Sequence, residues 1–450
     1  MEKQPTIITY RPEDGQELAR YATHSREEVN SILQGSRQAF LEWRRTTPEE
    51  RSFVMNRLAD LLAEQKQVLT QLMRSEMGKS LEEAAAEIEK CVSCARYYAE
   101  NGAKMLEPQN VPTEAKHSFV SYEPLGTVLA IMPWNFPFWQ AIRCLVPALT
   151  AGNSVLLKHA SNVTGCALAL ERLVYDATER KQLFRAVLVP GSETLGLIAS
   201  PEVAAVSLTG STEVGRQVAA VAGHELKKCV LELGGSDAYI ILADANLASA
   251  AKICAQSRLI NAGQSCIAAK RFVVDKSVLP AFTELFVKEI QSRKISPLAR
   301  ADLREELQKQ VDASLKQGAQ LLCGGKIPDG PGYHYPPTVL TGVRPGMTAF
   351  DEELFGPVAA LIEAKDEAEA LELANRTSFG LGAAVFTKDL EKAERIARFE
   401  LEAGSCFGNA LVRSDPRLPF GGIKASGFGR ELGAFGLREF TNIKTVYIDA

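Results

Sequence analysis

Histidine is scarce in this 450-residue chain, with five copies and none in a helical pair such as H-E-x-x-H. The imidazole clusters that usually hold a catalytic zinc are therefore missing. The N-terminus, MEKQPTIITYRPEDGQEL, has no continuous apolar core of the kind a secretory signal needs. The most apolar stretch, residues 126–151, is interrupted by prolines, Asn135, Gln140 and Arg143, which argues against a membrane-spanning helix. Charge of one sign is not in excess either: the formal net charge is −4, and nothing favours nucleic acid or a membrane as partner. Nine cysteines are an odd number in a chain long enough to fold without staples, which points to reduced thiols and a cytoplasmic location. Cys91-x-x-Cys94 lacks a second pair to complete a zinc site, so no metal is expected. Internal repeats, low-complexity tracts and long flexible linkers are absent as well.

What is present describes an ordinary globular chain, 46% hydrophobic and 24% charged, with length for two or three domains. Leu58, Leu61, Leu62, Val68, Leu69 and Leu72 recur at helical spacing, and so do Leu81, Ala85, Ile88 and Val92; two amphipathic helices are predicted. From Gly126 onward short apolar runs alternate with helix-length segments: 127–132, 154–158, 186–189, 204–208 and 229–233. That alternation predicts an α/β fold with parallel strands and crossover helices. A second group at 238–242, 271–275 and 382–386 predicts a second α/β unit. The boundary falls near Gly234-Gly235, placing Glu232 and Cys266 on opposite sides of an active site between domains.

Cys266, in Gly263-Gln264-Ser265-Cys266-Ile267, has small neighbours that leave its sulfur reachable, and Glu232 precedes it as a candidate base. A thiol needs such help, because its ordinary pKa of ~8.5 leaves little thiolate at neutral pH. Asn135 lies in Pro133-Trp134-Asn135-Phe136-Pro137 at the end of a strand, between two prolines that restrict the loop. An amide held in this way suits an oxyanion donor or, equally, a turn residue satisfying local backbone groups. Gly210, Ser211 and Gly215, in Thr-Gly-Ser-Thr-Glu-Val-Gly (209–215), follow a predicted strand and begin a helix, without the G-x-G-x-x-G spacing. This turn suits a diphosphate facing a helix N-terminus, or a tight connection in which Ser211 only caps the helix.

Taken together, PWNFP (133–137), LTGSTEVG (208–215), LELGG (231–235), NAGQSC (261–266), EELFGPV (352–358) and PFGGIKASGFGRE (419–431) resemble the motifs of the aldehyde dehydrogenase superfamily, in its order and near its spacing. The resemblance implies two doubly wound Rossmann-type domains and a small β oligomerisation segment. Residues 1–110 and 126–233 would bind the dinucleotide, 234–410 would carry the nucleophile, and 111–125 with 432–450 would form the oligomerisation segment. Cys266 would attack the aldehyde carbon, with Asn135 and the Cys266 N–H holding the oxyanion. After hydride transfer, Glu232 would activate water to hydrolyse the thioester.

By the same resemblance Trp134, Gly210, Ser211, Gly215, Leu233, Lys158, Glu353 and Phe355 contact the cofactor. Many NAD-preferring relatives carry glutamate where this chain has Ser161, and without that charge beside Lys158, NADP is expected to be preferred over NAD. Arg143, eight residues after Asn135, matches the position that faces a distal carboxylate in succinate-semialdehyde dehydrogenases. Ser414 is a second donor to that group and Trp139 a pocket wall, although packing explains Trp139 equally well. Two departures from the family are visible. The usual G-D-P-containing loop is missing, so that SPLAR (296–300) follows FTELFVKEIQSRKI (282–295) directly, and DATERKQLF (176–184) has no Gly-Pro turn. Glu232 favours hydrolysis over the coenzyme A-acylating alternative, and with Cys266 it argues against a non-enzymatic scaffold. A cofactor-free thiol esterase leaves the dinucleotide features unexplained. Ala268 removes the disulfide switch known in the family, and TNIKTVYIDA (441–450) implies a homodimer or homotetramer.

Overall fold

The computed structural model of the protein describes residues 5–449. Its first sheet runs in the order Phe184–Ala186, Ser154–His159, Thr127–Met132, Val203–Thr209, Lys228–Glu232 and Gly427–Phe428. The pairing is parallel except at the last strand, which arrives from far outside the range 126–233 and closes the edge in antiparallel sense. Thr127–Met132 and Ser154–His159 are buried at every residue. Helices cover both faces of such a sheet, which is why these runs read as continuous rather than alternating.

The chain moves outward through the first three parallel strands and then returns to the other side of Thr127–Met132. The reversal creates a switch point between Thr127–Met132 and Val203–Thr209, and ligand crevices open at the carboxyl ends of strands flanking such a point. Asn135 follows one of these strands and Gly210 the other.

A second sheet has the order Gln320–Cys323, Thr338–Thr341, Val358–Ala364, Arg271–Asp275, Ala238–Ile241, Gly382–Phe386 and Ser405–Gly408. Only the first pair is antiparallel. A third sheet pairs Thr441–Ile448 along the full length of His117–Pro124, with Gln109–Asn110 on the far side. The C-terminal strand thus finds a partner inside its own chain.

Two local expectations shift. The single helix predicted over 58–72 is two, Pro48–Glu64 and Lys66–Met77, meeting at Gln65, and Val68 is exposed. The strand predicted at 186–189 is Phe184–Ala186. Leu188 leaves the sheet to exchange hydrogen bonds with His24, accepting at 2.8 Å and donating to Nδ1 at 3.2 Å. Where the Gly-Pro turn is missing, Glu179 itself takes the left-handed conformation (φ 55°) that ends helix Thr164–Thr178. Glycine is the usual residue for that task. The shortened connection at 296–300 is anchored, because the Ala299 N–H donates to Gln264 Oε1 (2.9 Å) and the Leu298 N–H to the Tyr333 carbonyl (2.9 Å).

Helix Pro137–Thr150 is buried along its whole length, and its own N-cap position, Phe136, makes no side-chain cap. Glu87, from helix Leu81–Met105, supplies the missing acceptor: its Oε1 takes the N–H groups of Phe138 and Trp139, each at 2.9 Å. A carboxylate at a helix N-terminus is also favoured by the helix dipole. Lys79 balances the charge in an ion pair with Glu87 and lies 3.9 Å above the Phe136 ring. Lys79→Met should leave Glu87 uncompensated and lower stability by about 3–5 kcal/mol. A thermal midpoint equal to wild type would show that the pair does not hold this helix.

Candidate active site at the junction of two cavities

Cys266 lies between helix Leu247–Leu259 and strand Arg271–Asp275, after three consecutive residues of left-handed backbone: Asn261 (φ 53°), Ala262 (φ 54°) and Gly263 (φ 76°). A side chain at 263 is excluded twice, by this conformation and because a Cβ would stand 2.3 Å from the Gly356 carbonyl oxygen. The turn is tied to the Asn135 loop. Asn261 Nδ2 donates to the carbonyls of Asn135 (2.8 Å) and Gln264 (3.1 Å), while its own N–H reaches Glu83 Oε1 (2.7 Å). Asn135 Nδ2 donates to the same Gln264 carbonyl at 3.1 Å, and its Oδ1 accepts from the Phe136 N–H at 3.2 Å. These bonds orient the amide and leave one Nδ2 hydrogen free. The Cys266 N–H has no partner among the described residues. Asn135 and Cys266 border the same cavity, so two donors are available there, as an oxyanion site requires.

The Cys266 thiol is half-buried, and burial pushes its pKa up to about 11, with Arg143 and then Lys270 pulling the other way. Lys270 is fully buried and donates to the carbonyls of Ser265 (3.0 Å) and Cys266 (2.6 Å). Glu232 ends its strand with both carboxyl oxygens buried and without hydrogen-bond partners. Burial raises its pKa well above the carboxylate range, Arg143 opposes that, and Glu431 adds to it. Space for this carboxyl depends on Gly421, where a Cβ would lie 2.7 Å from Glu232 Oε1.

Arg143 differs from its sequence-based picture. It is buried, its Nε faces Glu431 in an ion pair, Nη2 donates to Thr209 Oγ1 (3.0 Å), and the guanidinium lies 5.1 Å from the Phe420 ring centroid. Nε and one Nη2 hydrogen are thus engaged, as expected where a buried guanidinium needs a compensating carboxylate.

Two cavities meet at Cys266. One is bounded by Lys90, Trp139, Arg143, Ser414 and Phe420. The other is bounded by Trp134, Asn135, Gly210, Ser211, Leu233, Glu353 and Phe355, with Trp134 and Phe355 packed edge to face at 5.8 Å. The second suits a dinucleotide. It opens at the switch point, and helix Thr212–His224 begins there. Gly215 allows that helix to approach Leu233, whose Cδ2 would be 2.4 Å from a Cβ. Ser211 does cap the helix, accepting from the Val214 N–H at 3.4 Å, which leaves its O–H to donate. Glu353 Oε1 accepts from the Gly235 N–H (3.0 Å) and pairs with Lys270 (3.3 Å). Glycines at 234 and 235 admit Glu353 and the Cys266 carbonyl, at 2.5 and 2.8 Å from the positions of the missing Cβ atoms.

Lys158 and Ser161 do not line this cavity. They stand at the end of the next strand, Lys158 buried with Nζ donating to the His159 carbonyl (3.2 Å) and Ser161 exposed. Sequence reasoning missed Lys90, Thr209, Asn261, Gln264, Lys270 and Glu431. Glu431 closes a motif already noted, but nothing in that string says that it faces Arg143. Among the described residues, no cluster of three or more His, Cys, Asp or Glu is placed to hold a metal, and no helix is long and apolar enough to cross a membrane.

Since Glu232 must lose its proton to act as a base, turnover limited by its step should rise with pH above the ordinary carboxylate range. Glu232→Gln should remove that rise and lower kcat by ~10²–10⁴, with acyl-enzyme accumulating by intact mass; an unaltered pH profile would exclude Glu232 as the base. Gly421→Ala should displace the same carboxyl and lower kcat while Cys266 still alkylates normally, and an unchanged kcat would mean the close approach has no catalytic role.

The Aldehyde dehydrogenase family model matches residues 1–446. A probable NADP-dependent succinate-semialdehyde dehydrogenase of Synechocystis sp. is 43% identical over 98% of this chain and 99% of its own length. A succinate-semialdehyde dehydrogenase of Escherichia coli K12 that uses NAD or NADP is also 43% identical, over 98% of both chains. Among solved structures, a succinic semialdehyde dehydrogenase of Streptococcus pyogenes in complex with NADP+ superposes with a TM-score of 0.96 at 33% identity, covering 99% of this chain and 100% of the other. An NAD-dependent aldehyde dehydrogenase of Sinorhizobium meliloti gives 0.95 at 33% identity, over 99% and 91%. Full-length likeness in sequence and fold, meeting at a buried carboxyl and a reachable thiol, places this chain in the aldehyde dehydrogenase family.

Proposed function

We propose that the protein oxidises succinate semialdehyde, or a short aldehyde with a similar terminal carboxylate, to the acid, with NADP preferred over NAD. The observation that carries this reading is the position of Cys266 at the inner end of two cavities, one suited to a dinucleotide and the other walled by cations. Relatives named for this substrate support it over the full chain.

Cys266 Sγ bonds to the aldehyde carbon as a thiolate, the form that Arg143 and Lys270 favour against the effect of burial. Asn135 Nδ2 and the Cys266 N–H stabilise the resulting oxyanion. A bound nicotinamide dinucleotide supplies the hydride acceptor. Trp134 and Phe355 would wall its site, Ser211 would donate to the diphosphate, and Glu353 would accept from the nicotinamide ribose. Glu232 takes a proton from the water that attacks the thioester, and the acid and the Cys266 thiol separate. The presence of this base supports hydrolysis rather than transfer to coenzyme A.

The preference for NADP rests on Ser161, exposed three residues after Lys158, just past the end of strand Ser154–His159, with no carboxylate in its place. Association into dimers or tetramers is supported by Ile443, Tyr447 and Ile448, exposed on the C-terminal strand.

With succinate semialdehyde, the wild type should reduce NADP faster than NAD, and Cys266→Ala should be inactive. Turnover only of uncharged aldehydes would discard the substrate reading and keep the mechanism. Ser161→Glu should move the ratio of specificity constants towards NAD; an unmoved ratio would defeat the cofactor assignment. Light scattering at micromolar concentration should give a dimer or tetramer, and a monomer would overturn the association.

A further inference from the structure

The substrate-side cavity contains a cation that the mechanism above does not use. Lys90, on helix Leu81–Met105, is half-buried and places Nζ 4.3 Å above the Trp139 ring centroid and 2.7 Å from Ser414 Oγ, to which it donates. An ammonium carries three N–H donors, and Ser414 takes one. No carboxylate among the described residues lies within ion-pair distance of Lys90.

The acidic groups around the cavity are already engaged. Glu87 is paired with Lys79 and accepts from two backbone N–H groups, and Glu83 accepts from the Asn261 N–H and from Ser80 Oγ. The other buried cation, Arg143, has Glu431 and Thr209. A cation withdrawn from water without an anion is unfavourable, and burial, followed by the charge of Arg143, pulls the Lys90 pKa down to about 8. The wall is therefore short of one negative charge, at the point where two N–H donors of Lys90 remain unused.

We propose that Lys90, with Ser414 beside it, binds the distal carboxylate of the substrate and sets the preference for carboxylated aldehydes, while Arg143 serves the electrostatics of Cys266 and Glu232. This rests on the substrate reading above. Trp139 is then both the wall of the cavity and the platform that holds the Lys90 stem, as a cation over an aromatic face is held. Arg413, which also borders the cavity, is exposed and competes with water for any anion.

Lys90→Met keeps the length and packing of the side chain and removes the charge. With saturating NADP, it should lower kcat/KM for succinate semialdehyde by about 10–100-fold, the loss expected for a hydrogen bond to a charged group, mostly through KM. Butanal, of the same carbon number without the carboxylate, should change by less than about threefold on the same scale. Lys90→Arg should recover most of the loss, and Ser414→Ala should give a smaller decrease confined to the charged aldehyde. Equal losses for both aldehydes, or none for succinate semialdehyde, would overturn the proposal.

Calorimetric titration with succinate separates this failure from failure of the substrate reading, because it needs no turnover. Binding by wild type that disappears in Lys90→Met supports the anion site even if the charged aldehyde proves a poor substrate. Absence of succinate binding by wild type, or equal binding by the variant, would overturn it.

Discussion

The Gln264 carbonyl accepts from both Asn135 Nδ2 and Asn261 Nδ2, while Asn261 also donates to the Asn135 carbonyl. Those bonds join a loop leaving the first sheet to a turn entering the second. Each such bond contributes only about 0.5–1.5 kcal/mol net, yet together they hold the amide beside the free N–H of Cys266. The left-handed turn at 261–263 permits this contact, and its close approach to Gly356 explains why the NAGQSC and EELFGPV segments must meet. The Gln264 side chain extends the tie to Ala299, so the shortened connection before helix Ala301–Lys316 braces the Cys266 loop from outside.

Charge at the centre is arranged around Arg143. Its neighbours Glu431 and Glu232 are both buried carboxyls, but only Glu431 pairs with it, and only Glu232 lacks hydrogen bonds. Burial, the largest influence, favours the protonated form of both. The pairing separates them: Glu431 is tied to the guanidinium, and the Glu232 carboxyl is left without hydrogen bonds. The same guanidinium lowers the cost of a thiolate at Cys266 and of a carboxylate at Glu232, so one cation acts on both groups. A cation already engaged in this way is a weaker candidate for gripping substrate than Lys90, whose donors remain open.

Much of this was legible in the chain. The runs at 127–132, 271–275 and 382–386 coincide with observed strands, because strands buried on both faces need continuous apolar sequence. The strand expected at 186–189 shifted because Leu188 makes hydrogen bonds with His24, which is distant in sequence. The break at Gln65 in the helix expected over 58–72 was not legible, because no proline or glycine there marks it.

By itself the sequence determined the alternation of strands and helices and singled out Cys266, Glu232 and Asn135 as candidates, because periodicity and short rigid motifs are local properties. Only the tertiary structure decided which charges are compensated. Whether Arg143 is free, whether Lys90 is paired and whether Glu232 is desolvated depend on side chains brought together from positions up to 324 residues apart, as Lys90 and Ser414 are. Electrostatic energy depends on distance and burial in space, and neither is written in the spacing along the chain.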